Sequence, residues 1–339
     1  MKKHRRNTLH DIAAHTGVSY QTVSRVINNH PNVSPETRGR IQHAITELGY
    51  HPNKVAKSLV AKQSHTLAIL TFGMDQYGPA QMVLNIERAA KAVGYDLIFS
   101  NVSDPSYNQM RKALDSLIGR QVDGILSIAS VDGTTYDELV KLCHDIPIVQ
   151  IDPEMGLNVP SVMFDQRFGS HLVTEHLIKL GHRRISEISG PLHWFGAMAR
   201  HQQWQETLSS SGLTPVSSVE GDWTAQGGYK ALLRLRPLDS DFTALVIGND
   251  QMALGAIHAL QEHNLHVPAD VSVVGFDDIP EAAYFEPPLT TIQQNFSQLG
   301  EIGVRYLLHR IQHPDETPKQ QIIFPRLVVR SSTAPPSSR

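Results

Sequence analysis

The sequence predicts an N-terminal all-α headpiece that contains a helix-turn-helix, followed by an α/β core of two parallel-sheet lobes. The first fifty residues hold three short helical patterns separated by turn residues. From residue 65 onward, apolar strand-like runs alternate with amphipathic helical runs, which is typical of parallel sheets covered by helices. Residues 1–64 hold ten Lys and Arg against three Asp and Glu, a charge of +7, whereas the remainder is −10.

Each headpiece helix begins at a recognisable capping residue. Thr8, with Asp11 three residues further on, is typical of an N-cap with a capping box. Gly17 permits the sharp turn that ends the first helix. Ser19 caps a second helix predicted over residues 20–28, and Ser34 before a proline begins the third.

The second helix of a helix-turn-helix lies in the major groove of DNA, so its exposed face predicts what is recognised. Glutamine can pair bidentately with adenine and arginine with guanine. Together with the positive charge, Gln21 and Arg25 therefore favour double-stranded DNA as a partner over a small helical bundle with a merely polar surface. The predicted DNA-contacting residues of the headpiece are Thr8, Ser19, Tyr20, Gln21, Thr22, Ser24, Arg25, Asn28 and Asn32.

The core pattern predicts where a ligand would bind. The predicted strands cover 66–70, 95–100, 124–128, 146–151, 161–164, 185–189, 244–247 and 271–275, and the clearest helices cover 82–93, 168–180, 228–235 and 252–263. Ligands of open α/β sheets bind at the carboxyl ends of the strands. Asp152, Asn249 and Asp277 each follow a predicted strand, while Asp250 and Asp278 are expected to cap strand ends.

Several function classes are not favoured by the sequence. It contains no HExxH, GxSxG, CxxC or glycine-rich phosphate loop, so we expect neither an enzyme nor a cofactor. His171 and His176 are five residues apart rather than the four of a helical metal pair, so no metal site is expected.

The expected location is the cytoplasm. The single cysteine, Cys143, allows no disulfide within the chain, which fits a reducing compartment. The basic N-terminus lacks the apolar stretch of a signal peptide, and no apolar run is long enough to span a membrane. A secreted sugar-binding protein, the alternative of another class, is therefore disfavoured.

Two groups of motifs resemble one known family. Residues 8–13 (TLHDIA), 17–26 (GVSYQTVSRV) and 47–53 (ELGYHPN) resemble the headpiece signature of the lactose/galactose repressor (LacI-type) family of bacterial transcriptional regulators. Residues 176–185 (HLIKLGHRRI), 248–256 (GNDQMALGA), 273–278 (VVGFDD) and 287–292 (PPLTTI) resemble core hallmarks of the same family. The resemblance therefore covers nearly the whole chain.

The resemblance implies a domain organisation. A DNA-binding headpiece is expected over residues 1–52, a hinge helix and linker over 53–64, and an effector-binding and dimerisation core over 65–339. The core would resemble the periplasmic sugar-binding protein fold, with one lobe from 65–164 and 296–323 and the other from 165–295 and 324–332.

The resemblance also implies a function. The chain would be an allosteric repressor of a sugar-utilisation operon that binds its operator DNA as a homodimer and is released by a small sugar. In the hinge, Asn53, Ala56 and Leu59 would contact DNA, with Leu59 inserted into the minor groove. Because no leucine heptad follows the strand-like run at 327–330, a dimer is expected.

The implied effector site holds six residues whose chemistry suits a sugar. Carboxylate, amide and guanidinium groups hydrogen-bond hydroxyls, and aromatic rings pack on the C–H faces of pyranoses. The resemblance implies a galactoside, although the stretch at 72–77 and Met198 depart from the pattern, so a β-glucoside such as cellobiose stays open. The six implied effector-binding residues are Asp152, Arg200, Trp223, Asn249, Asp277 and Phe296.

Overall fold

The structure, a computed structural model, describes residues 7–50, 63–104, 106–128, 136–144, 146–237 and 241–337. The chain divides into two units, Met1–Ser64 and His65–Arg339. The predicted hinge contacts Asn53, Ala56 and Leu59 lie outside the described residues.

The first unit has the three predicted helices. They are α1 (Leu9–Thr16), α2 (Tyr20–Ile27) and α3 (Pro35–Glu47). Thr8 and Asp11 form the predicted capping box, and Gly17 adopts the left-handed conformation with φ 65°. The apolar faces of the helices meet in one small core of Ile12, Val23, Val26, Ile41, Ala44 and Tyr50.

The second unit alternates strands and helices. Its strands are β1 (Thr66–Phe72), β2 (Asp96–Val102), β3 (Gly124–Ser127), β4 (Ile148–Ile151), β5 (Ser161–Phe164), β6 (Ile185–Ser189), β7 (Ser218–Glu220), β8 (Ala244–Ile247), β9 (Ser272–Val274), β10 (Thr291–Gln293), β11 (Gln320–Ile323) and β12 (Arg326–Val328). Its helices are α4 (Tyr77–Ala92), α5 (Tyr107–Ile118), α6 (Tyr136–Leu142), α7 (Gln166–Lys179), α8 (Phe195–Ser210), α9 (Ala225–Leu235), α10 (Asp250–Glu262) and α11 (Phe296–Gln312). None of the helices described is long and apolar enough to cross a lipid bilayer.

The first lobe is built on a six-stranded parallel sheet in the order β11-β5-β4-β3-β1-β2. Two separate apolar clusters include residues of this sheet, because neighbouring residues of a strand point to opposite faces. On β1, Leu67 and Ile69 belong to the cluster with α4 and α11, whereas Ala68 and Leu70 belong to the cluster with α5.

The second lobe has a four-stranded parallel sheet in the order β7-β6-β8-β9. The chain passes between the two sheets after β5, after β10 and after β11, and β12 then pairs antiparallel with β10. Two of these crossings lie side by side, since the backbone N–H of Asp165 donates to the carbonyl oxygen of Ile323 at 3.0 Å. The cleft between the lobes therefore has the crossing segments at its base.

Three short strands were not predicted from the sequence. Strands β7, β10 and β11 have only three or four residues each and mix polar with apolar side chains, so their sequences show no distinctive run. The strand predicted at 146–151 begins only at Ile148 because Pro147 has no N–H to donate to a neighbouring strand. The run at 327–330 is strand only as far as Val328.

Helices α9 and α10 approach closely enough for their backbones to touch. A Cβ added at Gly228 would lie 2.1 Å from the carbonyl oxygen of Met252, and one added at Gly255 would lie 1.8 Å from that of Ala225. These obstacles are backbone atoms, so only movement of a whole helix could relieve the overlap.

Gly255→Ala should therefore destabilise the core by about 1–3 kcal/mol or more, the cost of overpacking a well-packed interior. The measurement is the free energy of unfolding of the core in urea. Gly39→Ala is the matched control, since its added Cβ meets nothing within 4 Å in helix α3. That variant should stabilise the headpiece by up to about 1 kcal/mol through helix propensity. Equal behaviour of the two variants would contradict the close packing of α9 on α10.

Candidate functional site

The predicted DNA-reading face of the headpiece is solvent-exposed. Tyr20, Gln21 and Arg25 are exposed on α2, whereas Val23 and Val26 of the same helix are buried. The opposite face of α2 therefore holds the helix in the headpiece, and the exposed one is available to a partner.

Two local interactions order this face. The hydroxyl of Ser19 accepts a hydrogen bond from the backbone N–H of Thr22 at 3.2 Å, so the Ser19 side chain caps α2. The Ser19 and Thr22 hydroxyls also lie 2.9 Å apart. The ring of Tyr20 stacks on His10 of α1 with centroids 4.8 Å apart. His10 lies ten residues from Tyr20 and could not be predicted to contact it, because no pattern in the sequence marks it.

The remaining predicted contacts lie at helix ends, in the loop before α3 or within α2. Thr8 and Ser19 are exposed N-cap residues, Asn28 follows the end of α2, and Asn32 is exposed in the loop before α3. Ser24 is half-buried on α2 and accepts a weak hydrogen bond from the amide of Asn28 at 3.4 Å.

A second candidate site is the cleft between the two lobes of the core. Its empty space, counted out to the open mouth, is about 1060 Å³. Concave clefts between the parts of an α/β protein are common places for small molecules to bind. Asp152 follows β4, Asn249 follows β8 and Asp277 lies three residues beyond β9, so parallel strands deliver them to the cleft. Five of the six implied effector residues line this space: Asp152, Arg200, Trp223, Asn249 and Asp277.

Three of these residues have left-handed backbone conformations. The φ angles are 54° at Asp152, 71° at Trp223 and 110° at Asp277. Such angles strain any residue with a Cβ, by about 1–3 kcal/mol each, and persist only where the surrounding structure enforces them. The sharp turn after each strand thus directs a polar or aromatic side chain into the cleft.

Arg200, on α8, is the cationic centre of the cleft. Its Nε donates to Oε1 of Gln166 at 2.8 Å, and Nη1 donates to the carbonyl oxygen of Gly248 at 2.6 Å. The guanidinium carbon also lies 3.6 Å from the ring centroid of Phe276. The half-buried guanidinium is therefore fixed in position at the wall of the cleft.

Two glutamines connect the acidic residues of the cleft. Gln166 donates through Nε2 to Asp152 at 3.0 Å and to Oε1 of Gln294 at 3.1 Å. Gln294 in turn donates to Asp277 at 2.6 Å. These amides join side chains of the crossing segments to both lobes. Neither could be predicted from the sequence, because a glutamine at the start of a helix or between a strand and a helix has no distinctive pattern.

Burial shifts the ionisation of the cleft. Burial raises the pKa of Asp277 to about 6, although nearby Arg200 and the hydrogen bond from Gln294 act in the opposite direction. Burial likewise raises the pKa of Asp152 and lowers the pKa of Arg200. Asp152 and Asp277 thus share the single positive charge of Arg200. When both carboxyl groups are ionised, the three side chains together carry a net negative charge.

Asn249 lines the cleft with an amide that is already hydrogen-bonded within the protein, and Phe296 does not line the cleft. The amide of Asn249 donates to the carbonyl oxygen of Trp223, while its Oδ1 caps α10 by accepting from Met252. Phe296 lies behind the wall of the cleft, with its ring edge-on to Tyr77 at 5.9 Å, and it is Tyr77 that faces the empty space. Phe296 therefore does not line the cleft in this structure, because α11 buries its ring between Tyr77 and Phe164.

Other predictions about the core hold. Asp250 is buried and accepts from the Ile279 N–H and the Thr291 hydroxyl, which is the structural role expected of it. Asp278 pairs with Arg330 at 2.6 Å. Of the two departures from the family pattern, Phe72, Gln76 and Tyr77 line the cleft, whereas Met198 does not.

Comparison with known proteins places the chain in a family. A family model for bacterial regulatory proteins of the lacI family matches residues 8–53, and a model for the periplasmic binding protein-like domain matches residues 174–333. The Lactose operon repressor of Escherichia coli (strain K12) is 34% identical over 332 residues, which cover 98% of this chain and 92% of that protein. The chain belongs to the LacI family.

Solved structures of LacI-family proteins share the fold. The Lac repressor dimer bound to operator and the anti-inducer ONPF aligns with a TM-score of 0.91 and 35% identity, covering 97% of this chain and 100% of that one. A complex of the transcriptional regulator CelR with cellobiose aligns with a TM-score of 0.72 and 30% identity, covering 96% and 100%. The predicted helix-turn-helix headpiece and two-lobed α/β core are thereby confirmed for this LacI-family regulator.

The buried acid of this LacI-family cleft predicts a pH-dependent stability. The folded pKa of Asp277 lies above the value of about 3.9 in unfolded chains. Protonated Asp277 therefore adds to the free energy of unfolding. This contribution is complete below about pH 4 and is lost as the pH rises through 6. Asp277→Asn removes this loss, so the effector-free variant should exceed the wild type in stability by about 1–3 kcal/mol at pH 7.5 and by less at pH 5.

Urea unfolding at the two pH values measures this difference. Asp115→Asn, at a carboxylate 57% exposed on α5, is the matched control and should change stability little at either pH. An Asp277→Asn variant that is less stable than the wild type at pH 7.5 would contradict the buried, uncompensated charge.

Proposed function

We propose that this chain is a sugar-responsive transcriptional repressor that binds operator DNA as a homodimer and releases it when a small sugar enters the cleft. The observation that carries this proposal is the cleft itself. Arg200, Asp152 and Asp277 converge there beside the indole of Trp223, in a protein whose headpiece exposes Gln21 and Arg25.

The polar groups of the cleft match the needs of sugar hydroxyls. Asp152 and Asp277 supply acceptors, and Arg200 supplies donors, and hydrogen bonds to charged groups contribute about 1.5–3 kcal/mol each.

This chemistry is strong enough for a switch. Shifting a two-state protein from almost entirely DNA-competent to almost entirely incompetent takes about 5.5 kcal/mol of differential binding. Two or three charged hydrogen bonds made only in the sugar-bound arrangement of the lobes reach that value. We propose that the segment at 53–64, which includes Asn53, Ala56 and Leu59, transmits the change.

The effector is proposed to be a galactoside, with a β-glucoside as the second candidate. The Lactose operon repressor supports the first, through its overall similarity to this chain. The CelR–cellobiose complex supports the second, as do Phe72 and Tyr77 lining the cleft at the stretch that departs from the family pattern.

The dimer follows from the headpiece and from the relatives. One helix-turn-helix reads one half-site, and two-fold symmetry of a dimer matches the near-palindromic operators that such headpieces bind. The Lac repressor structure with a TM-score of 0.91 is a dimer on operator DNA.

Gln21→Ala should lower affinity for the operator about 10- to 100-fold while changing affinity for random DNA about twofold or less, since base contacts carry the specificity. The operator is first enriched from a pool of random duplexes with the wild-type protein, and affinities are then measured at fixed salt. Gln42→Ala, at an exposed glutamine of α3, is the matched control. An equal loss on operator and random DNA would contradict the assignment of α2 as the recognition helix.

Asp277→Asn should leave operator binding within about twofold of the wild type and weaken sugar-dependent release at least tenfold. The variant loses a charged acceptor worth about 1.5–3 kcal/mol to a sugar hydroxyl, and the headpiece is unchanged. Release is measured by titrating the protein–operator complex with galactosides and with β-glucosides, again with Asp115→Asn as control. Full sugar-dependent release by Asp277→Asn would show that the effector binds elsewhere.

A further inference from the structure

A row of aromatic rings crosses the cleft beside its polar groups. Phe72, at the end of β1 in the first lobe, lies 5.3 Å from the ring of Trp194, which precedes α8 in the second lobe. Trp194 in turn lies 6.1 Å from Trp223, nearly at right angles to it. Trp194 thus links the indole beside Arg200 to a ring of the opposite lobe.

The backbone of the first lobe leaves room for the indole of Trp194. Gly73 has φ 70°, and a Cβ at this position would lie 2.6 Å from Cη2 of Trp194. Glycine therefore meets two requirements here, the left-handed conformation and the close approach of the indole. A half-buried tryptophan that rests on the backbone of the other lobe is held in one place.

The polar and aromatic parts of the cleft suit different parts of a ligand. The charged side chains Arg200, Asp152 and Asp277 are connected to one another through Gln166 and Gln294. Trp194 and Phe72 also line the empty space, yet their rings offer almost only apolar surface. A single sugar ring held by the charged groups has no need of this second surface.

We propose that Trp194, with Phe72, forms a second subsite that holds a further ring of the effector beyond the sugar bound by Arg200 and the aspartates. This inference rests on the proposed function and names its ligand class, a glycoside with two rings. The C–H face of a second pyranose, or an aromatic aglycone, buries apolar surface against the indole. Trp194 is accordingly a specificity-determining residue.

The test compares ligands that share a first ring. Full-length protein is titrated with methyl β-D-galactoside, lactose and phenyl β-D-galactoside, and with methyl β-D-glucoside, cellobiose and phenyl β-D-glucoside. In at least one series the wild type should bind a two-ring ligand at least tenfold more tightly than the methyl glycoside, a difference of about 1.4 kcal/mol. The disaccharide and phenyl members show which kind of second ring is preferred.

Trp194→Ala should reduce this preference below threefold by weakening the two-ring ligand alone, and Trp194→Phe should restore part of it. Met198→Ala is the matched control, since Met198 is exposed in the first turn of α8, directly after Trp194 at its N-cap, and does not line the cleft. The melting temperature without sugar shows that each variant is folded, and Trp194→Phe keeps an aromatic ring should Trp194→Ala unfold.

Two results would overturn the inference while leaving the proposed function intact. One is a wild type that binds methyl glycosides as tightly as two-ring glycosides. The other is a Trp194 variant that weakens both kinds of ligand by the same factor, which would assign the indole a purely structural role. If the wild type bound none of the six glycosides, the proposed sugar response would fail, and this inference with it.

Discussion

The attraction between the guanidinium of Arg200 and the carboxylates of Asp152 and Asp277 allows these charges to lie together in the cleft. Removing the guanidinium charge would leave Asp152 and Asp277 close together without compensation, in surroundings that already raise the pKa of both acids. Such a cluster is costly to the folded protein, and proteins retain costly charged clusters mainly where a ligand uses them. The electrostatics of the cleft thus support the proposal that it binds a ligand.

The backbone around the cleft brings these charged side chains together. Parallel strands end at one edge of each sheet, so the turns after β4, β7 and β9 meet across the cleft without long loops. Their left-handed residues are held by hydrogen bonds from neighbours, as when Asn249 binds the carbonyl oxygen of Trp223. Packing behind these turns, as between Tyr77 and Phe296, holds the strained backbone in place and with it the side chains that face the cleft.

The exposed face of the headpiece and the lining of the cleft differ in their chemistry. The headpiece has a core of six buried side chains, of which only Tyr50 is aromatic, and an exposed polar face, which suits contact with a hydrated polyanion. The cleft instead encloses charges among indole and phenyl rings, which suits a ligand that is polar at its edges and apolar on its faces. Each surface is therefore specific for its own class of partner.

Features that depend only on neighbouring residues along the chain could be predicted from the sequence. Caps such as Thr8 and Gly17 act within one turn of helix, and Asp152 or Asp277 directly after an apolar run indicates a strand end, so headpiece, fold and most cleft residues could be predicted. Tertiary structure decided the rest. Whether Phe296 or Tyr77 faces the cleft depends on how α11 packs against α4, and Gln166, Gln294 and Trp194 acquire their roles only where segments distant in sequence meet. Such contacts leave no periodic pattern, because each side chain is placed by a partner far away in the chain.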